Sequence, residues 1–209
     1  MKSFIVELWS RVFSALRWLS LFRVIRTCIP AIRGSYVFVD AWVLGNLLLS
    51  AFLLTICSAP GLCWWELTAI VYGAIRVIEV IIYQANVLIF GEYRAKKAGK
   101  PFALRSFRRI VILLLHNYAE IIFWFAIIYR NLNWAFQVSG ATLDSFFESF
   151  NLSFVTMTTF GQTGVSPIGV LGETLIFFQS AVGLFMALAV LARFISLIPE
   201  PETLDEFEK

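Results

Sequence analysis

Charge is what this chain has least of. Asp, Glu, Lys and Arg make up 15% of its 209 residues, where soluble domains carry about a quarter. With 59% hydrophobic residues, 16% aromatics and a mean hydropathy of +0.80, an ordinary soluble domain is excluded. An integral membrane protein is expected, and the length leaves no room for a separate soluble enzyme or sensor domain. Histidine occurs once, which excludes HExxH, and no Ser-His-Asp constellation is recognised. GxxxxGK[ST] and GxGxxG are missing as well, and the chain is not expected to be an enzyme. The three cysteines, Cys28, Cys57 and Cys63, form no CxxC and have no His at ligand spacing, which argues against a structural metal and leaves no cofactor to expect. Cys57 and Cys63 fit either a disulfide facing an oxidising exterior or, as is more usual, two small buried apolar residues. Early apolar residues are interrupted by arginines, so no cleavable signal peptide is expected. No apolar run carries arginine at every third position, so voltage sensing is not expected.

What charge there is lies in clusters. The net charge is +3; Lys2, Arg11, Arg17, Arg23, Arg26 and Arg33 occupy the first segment, and Arg94, Lys96, Lys97, Lys100, Arg105, Arg108 and Arg109 a second. Acidic residues crowd the tail from Glu200 to Glu208. Basic clusters beside apolar runs suit anionic lipids at a membrane surface, and no nucleic-acid partner is expected.

Phe4, Ile5, Leu8, Trp9, Val12, Phe13 and Leu16 recur at three- and four-residue spacing within residues 4 to 25, the pattern of an amphipathic helix lying in the membrane interface. Pro30 and Gly34-Ser35 end it. No charged residue occurs between Ala41 and Trp65, enough to cross a hydrocarbon core of about 30 Å. The first span is therefore placed at about Tyr36 to Ser58 and, after a turn, a second at about Trp64 to Phe90. A third follows the basic loop at about Ile110 to Tyr129, and a last one runs from about Leu171 to Ile198. Asn131 to Ala141 reads as a polar turn. The basic N-terminal segment and the loop from Gly91 to Arg109 place both termini in the cytoplasm by the positive-inside rule.

Asp40, Arg76, Glu79, His116 and Glu120 fall at membrane depth, where ionisable groups are costly and usually paired. Arg76 and Glu120 lie near the midplane of antiparallel spans and are expected to form an ion pair of structural purpose. His116 is a candidate pH sensor, set against the ordinary reading of a hydrogen-bonded packing residue.

Between the third and last spans, Asn151 to Gly169 reads NLSFVTMTTFGQTGVSPIG, too polar to span a bilayer. Irregular backbone at such a place is tolerated where protein buries it or where it lines a watery path. Thr142 to Met157 is expected to form a short helix, with Ser145 and Glu148 in a capping box. Its C-terminal partial negative charge favours a cation, and the Thr and Gly residues that follow supply hydroxyl and carbonyl oxygens. Asp144, Glu148 and Glu173 fit a cation-attracting ring at an outer mouth, or simple helix capping.

The run Thr156-Met157-Thr158-Thr159-Phe160-Gly161-Gln162-Thr163-Gly164 resembles the TMTTVGYGD-like filter of the potassium-channel superfamily. Pro167 matches the post-filter proline, Gly172 the top of the inner helix and Gly183 the inner-helix hinge. The resemblance covers about Arg109 to Arg193. It implies a filter formed by Thr158, Thr159, Phe160, Gly161, Gln162 and Thr163, permeant potassium, and four pore loops around one axis, hence a homotetramer. In the last span Ser180, Gly183, Leu184, Ala187 and Leu191 are candidate lining residues at helical spacing. Gln162 and Thr163 depart from the potassium pattern, and TTFGQT is similar to the TTIGET filters of cyclic-nucleotide-gated cation channels, which implies that sodium also permeates.

The sequence thus leads to an all-α membrane protein of four transmembrane helices, a re-entrant pore helix with a filter loop, and an N-terminal interfacial helix. Its parts are an interfacial basic segment (1–34), two peripheral spans with a basic loop (35–108), a pore module (109–198) and an acidic cytoplasmic tail (199–209). A tetrameric cation channel is the leading functional expectation, selective for potassium or not. A transporter or a non-conducting membrane scaffold is the alternative from another class.

Overall fold

The computed structural model describes residues 4–16, 18, 20–29, 35–56, 64–99, 107–138, 143, 145–161 and 163–195. They are mostly helical: α1 (Phe4–Leu16), α2 (Leu21–Cys28), α3 (Tyr36–Ile56), α4 (Trp64–Leu88), α5 (Gly91–Lys97), α6 (Phe107–Asn131), α7 (Phe146–Thr158) and α8 (Gly169–Ile195). Two three-residue strands, β1 (Phe136–Val138) and β2 (Val165–Pro167), complete the order, with β1 before α7 and β2 after it. Cys57 and Cys63 lie outside the described residues, as does the acidic tail; Cys28 is exposed and unbridged.

Three helices are long and apolar enough to cross a membrane, Tyr36–Ile56, Arg108–Asn131 and Gly169–Ile195, and the chain is by this criterion that of a membrane protein. Helix α4, where the sequence suggests a second span, is not among the three. It carries Glu66, Arg76 and Glu79, all buried.

Helix α6 is the hub. Inside the protein 56% of its apolar window is buried, against 22% for α3 and 28% for α8, because α3, α4, α7 and α8 all pack around it. Ile121, Trp124, Ala126, Ile127 and Tyr129 of α6 are almost wholly enclosed, together with Leu54 of α3, Leu152 and Met157 of α7 and Met186 of α8. At one end of α3 and α6 Arg109 donates to Asp40 at 2.5 Å; at the other Arg130 donates to the Leu54 carbonyl at 2.8 Å. These two helices therefore run in the same direction.

Two expectations need correction. The single interfacial helix expected over residues 4 to 25 is two helices. Ser20 caps the second by accepting a hydrogen bond from the Arg23 amide at 3.2 Å, while its hydroxyl and the Phe22 amide both donate to one carboxylate oxygen of Glu79 on α4. A chain turn that feeds two donors to a buried carboxylate outweighs one more turn of helix. The stretch Asn131 to Ala141, expected as a polar turn, contains a 3-10 turn over Asn133–Ala135 and then β1. Strand β1 pairs antiparallel with β2, Phe136 opposite Pro167 and Val138 opposite Val165, so the architecture is not purely helical.

Candidate functional site

Helix α7 starts as its sequence dictates. Ser145, in extended conformation, accepts a hydrogen bond from the Glu148 amide at 3.1 Å, the N-cap interaction that satisfies an otherwise orphaned first-turn donor. Phe146, Phe150 and Phe154 stack along one side of α7. Its other side is polar and buried, with Ser149 and Ser153 both at zero exposure.

Ser153 anchors a chain of hydrogen bonds through the protein interior. Its hydroxyl donates to the Ile122 carbonyl of α6 at 2.7 Å. Gln179 of α8 donates through its amide nitrogen to the Ser153 hydroxyl at 2.8 Å and to the Ser153 carbonyl at 3.0 Å. Tyr129 of α6 in turn donates to the Gln179 side-chain oxygen Oε1 at 2.5 Å. A second tyrosine, Tyr118, donates to the Met157 carbonyl at 3.1 Å, so α6 holds α7 at two points, through Ile122 and through Tyr118. In an apolar interior a fully satisfied network of this kind fixes a unique packing. None of Tyr118, Tyr129, Ser153 and Gln179 was singled out by motif; their only sequence signal is an isolated polar group inside an apolar run.

Where α7 ends, Thr159 adopts the left-handed conformation with φ of 60°, costly for a β-branched residue. Thr158 donates from its hydroxyl to the Phe154 carbonyl at 2.8 Å, and Thr159 from its own to the Thr158 carbonyl at 2.6 Å. Phe160 follows, 80% exposed, and then Gly161 at φ of 87°. Thr163 accepts from the Val165 amide at 3.3 Å. Residues 159–161 and 163–164 thus bridge the C-terminal end of α7 to strand β2, which is pinned by β1. Gln162 lies outside the described residues.

On α8, Gly183 is buried against α7. A methyl group added to it would meet the Met157 carbonyl oxygen at 2.3 Å, so the close approach of α8 to the end of α7 requires glycine there. Ser180 is half-buried, and Leu184, Ala187 and Leu191 are exposed in the single chain. Gly183 is thus covered by α7, whereas these three residues are open in the single chain. Glu148 stands half-buried in the first turn of α7, and Glu173 is exposed near the start of α8. Asp144, the third acidic residue expected beside them, lies outside the described residues.

The structure brings Arg76 and Glu120 together. The guanidinium donates through Nε and Nη2 to the two carboxylate oxygens, each at 3.0 Å. Arg76 is at the same time bonded to Glu79, and Trp124 donates to Glu120 at 3.1 Å. All three charged groups are buried. Between α3 and α6, His116 has its Nδ1 at 2.7 Å from the Ile112 carbonyl and lines, with Asp40 and Arg109, a cavity of about 360 Å³. Among the described residues no three His, Cys, Asp or Glu side chains gather as a metal site.

No protein-family model matches the chain, and neither a curated protein nor a solved structure matches it.

Proposed function

We propose that the chain is one subunit of a homotetrameric cation channel that conducts potassium passively through Thr158, Thr159, Phe160, Gly161, Gln162 and Thr163. The observation that carries this reading is the mounting of α7. A thirteen-residue helix, too short to cross a bilayer, is held by α6 and α8 through buried hydrogen bonds. Its C-terminal end runs straight into a Thr- and Gly-containing segment whose residues Thr159, Phe160 and Gly161 are exposed. The helix dipole puts partial negative charge at that end, and hydroxyl and carbonyl oxygens next to it suit the replacement of a cation's hydration shell. Alone, one such segment has nothing opposite it. Four around an axis enclose a path, and the exposed apolar side chains Phe160, Val170 and Phe177 are then available to neighbouring subunits and lipid.

In this arrangement α7 is re-entrant and α4 is the fourth crossing, with the charge of Arg76 met by Glu79 and Glu120. Leu184, Ala187 and Leu191 line the inner cavity, and Gly183 serves the contact of α8 with α7. Both termini are cytoplasmic, by the excess of Lys and Arg in the N-terminal segment and in the loop before α6. A second reading, a non-selective monovalent cation channel, is favoured by Thr163, which stands where potassium filters carry glycine.

Bi-ionic recordings of purified protein in planar bilayers test the proposal. Passive, electrically driven currents with a reversal potential set by the potassium gradient are expected. A sealed bilayer, or flux that ignores voltage, refutes the channel; equal potassium and sodium permeability selects the second reading.

A further inference from the structure

A cavity of about 460 Å³ opens between α2, α4 and α5, outside the module that carries the candidate filter. Its wall contains three guanidinium groups, Arg23, Arg26 and Arg94, against one carboxylate, Glu79, with Ile82 and Val87 as apolar wall. Glu79 is already committed, one oxygen accepting from Ser20 and Phe22 and the other from Arg76. Among the described residues that line the cavity, guanidinium groups thus outnumber carboxylates three to one.

The three arginines are held in place. Arg94 donates to the Asn86 side-chain oxygen at 2.8 Å and to the Asn86 carbonyl at 2.7 Å. Arg23 lies over the Trp18 ring at 3.9 Å and Arg26 over the Phe22 ring at 5.4 Å. Stacking engages the flat face of a guanidinium, whereas a phosphate is bound by N–H groups at its edge. From the cavity an apolar stripe runs back along α4, where Ile78, Ile75 and Val71 are exposed at successive turns beyond Ile82. A phosphate-sized anion at one end and a long apolar track leading from it are the two halves of a phospholipid.

We propose that this cavity binds the phosphate headgroup of an anionic phospholipid, with an acyl chain lying along the Val71, Ile75 and Ile78 stripe of α4. The chemistry favours a lipid over free phosphate because the track and the basic wall are contiguous. It also favours an anionic headgroup over a zwitterionic one, whose own cation would meet the arginines. The site stands on α2, α4 and α5 alone and does not depend on conduction.

Native mass spectrometry of the purified full chain, loaded with phosphatidylglycerol or with phosphatidylcholine of the same acyl chains, tests this. A retained phosphatidylglycerol adduct is expected, with phosphatidylcholine lost at the same activation energy. The pair Arg23→Gln with Arg26→Gln should weaken phosphatidylglycerol binding about thirtyfold, roughly fivefold for each basic residue near a membrane surface. The pair Arg23→Lys with Arg26→Lys, which preserves charge, should retain most of the binding. Arg108→Gln, in the other basic segment and outside the cavity, should change nothing. Equal retention of both lipids, undiminished binding in the Gln pair, or equal loss in the Gln and Lys pairs overturns the proposal. Displacement of the lipid by millimolar inorganic phosphate would assign the site to a free anion and overturn it too.

Discussion

Removal of the Arg76 guanidinium is the most demanding test of how this fold tolerates charge. Arg76 and Glu120 are 3% and 0% exposed, and Glu79 is 5% exposed. In Arg76→Met two carboxylates remain in the interior. Glu79 keeps its donors from Ser20 and Phe22, but Glu120 keeps only the indole N–H of Trp124. Leaving one partner of a buried pair without the other costs about 3–5 kcal/mol, and the upper part of that range is expected because the bond lost at Glu120 is bidentate. Glu120→Gln should cost less, about 1–3 kcal/mol, since Arg76 retains Glu79 and the amide oxygen still accepts from Trp124. The double variant Arg76→Met with Glu120→Gln removes both charges of the bond and should fall well short of the sum of the two single substitutions. Reversible unfolding of the protein in mixed micelles, followed by Trp fluorescence as denaturant rises, closes the cycle. A coupling below about 0.5 kcal/mol, or an Arg76→Met variant as stable as the parent, would refute the reasoning.

Gly183→Ala forces a methyl group onto the Met157 carbonyl, 2.3 Å away. Backbone on both sides leaves little to yield, so a loss of about 1–3 kcal/mol in unfolding free energy is expected, and an unchanged denaturant midpoint would count against the contact. Gln162→Tyr combined with Thr163→Gly should move the reversal potential in mixed potassium and sodium toward potassium; an unmoved potential sinks the filter assignment. Glu7 accepts from Arg11 at 2.9 Å and from Lys97 of α5 at 3.3 Å, and these neighbours, Arg11 foremost, lower its pKa below the ordinary value. A carboxylate whose pKa is lowered by folding contributes stability above its unfolded pKa and loses it as pH falls. The tie of α1 to α5 should therefore loosen only below about pH 4, visible as faster amide exchange in α1, and loosening already at pH 6 would contradict it.

The uncharged run from Ala41 and the proline and glycine breaks make α3, α6 and α8 readable from sequence, because length and apolarity are local properties. Ser145 with Glu148 announces α7 for the same reason: a cap is settled within three residues. What escapes a linear reading is settled across long separations. The break between α1 and α2 depends on Glu79, 59 residues from Ser20. Strand β1 exists because Val165 to Pro167 lie opposite it, and three-residue strands carry almost no pattern of their own. The Tyr129–Gln179–Ser153 chain joins three helices, and nothing in the spacing of those residues marks them as partners. Arg76 and Glu120 are legible because charge inside a long apolar run is rare enough to imply a partner, whereas the part played by Glu79, between Arg76 on one oxygen and α2 on the other, is not.

The pairing of Phe136 with Pro167 and of Val138 with Val165 joins the chain just before α7 to the chain just after the Thr-Gly segment. A loop tied at its neck has surrendered its closure entropy within one polypeptide. For the proposed tetramer an order of assembly follows: each subunit ties the neck of this loop through β1 and β2 before meeting another, and association then has only to bring tied loops together, without threading slack chain into a crowded centre.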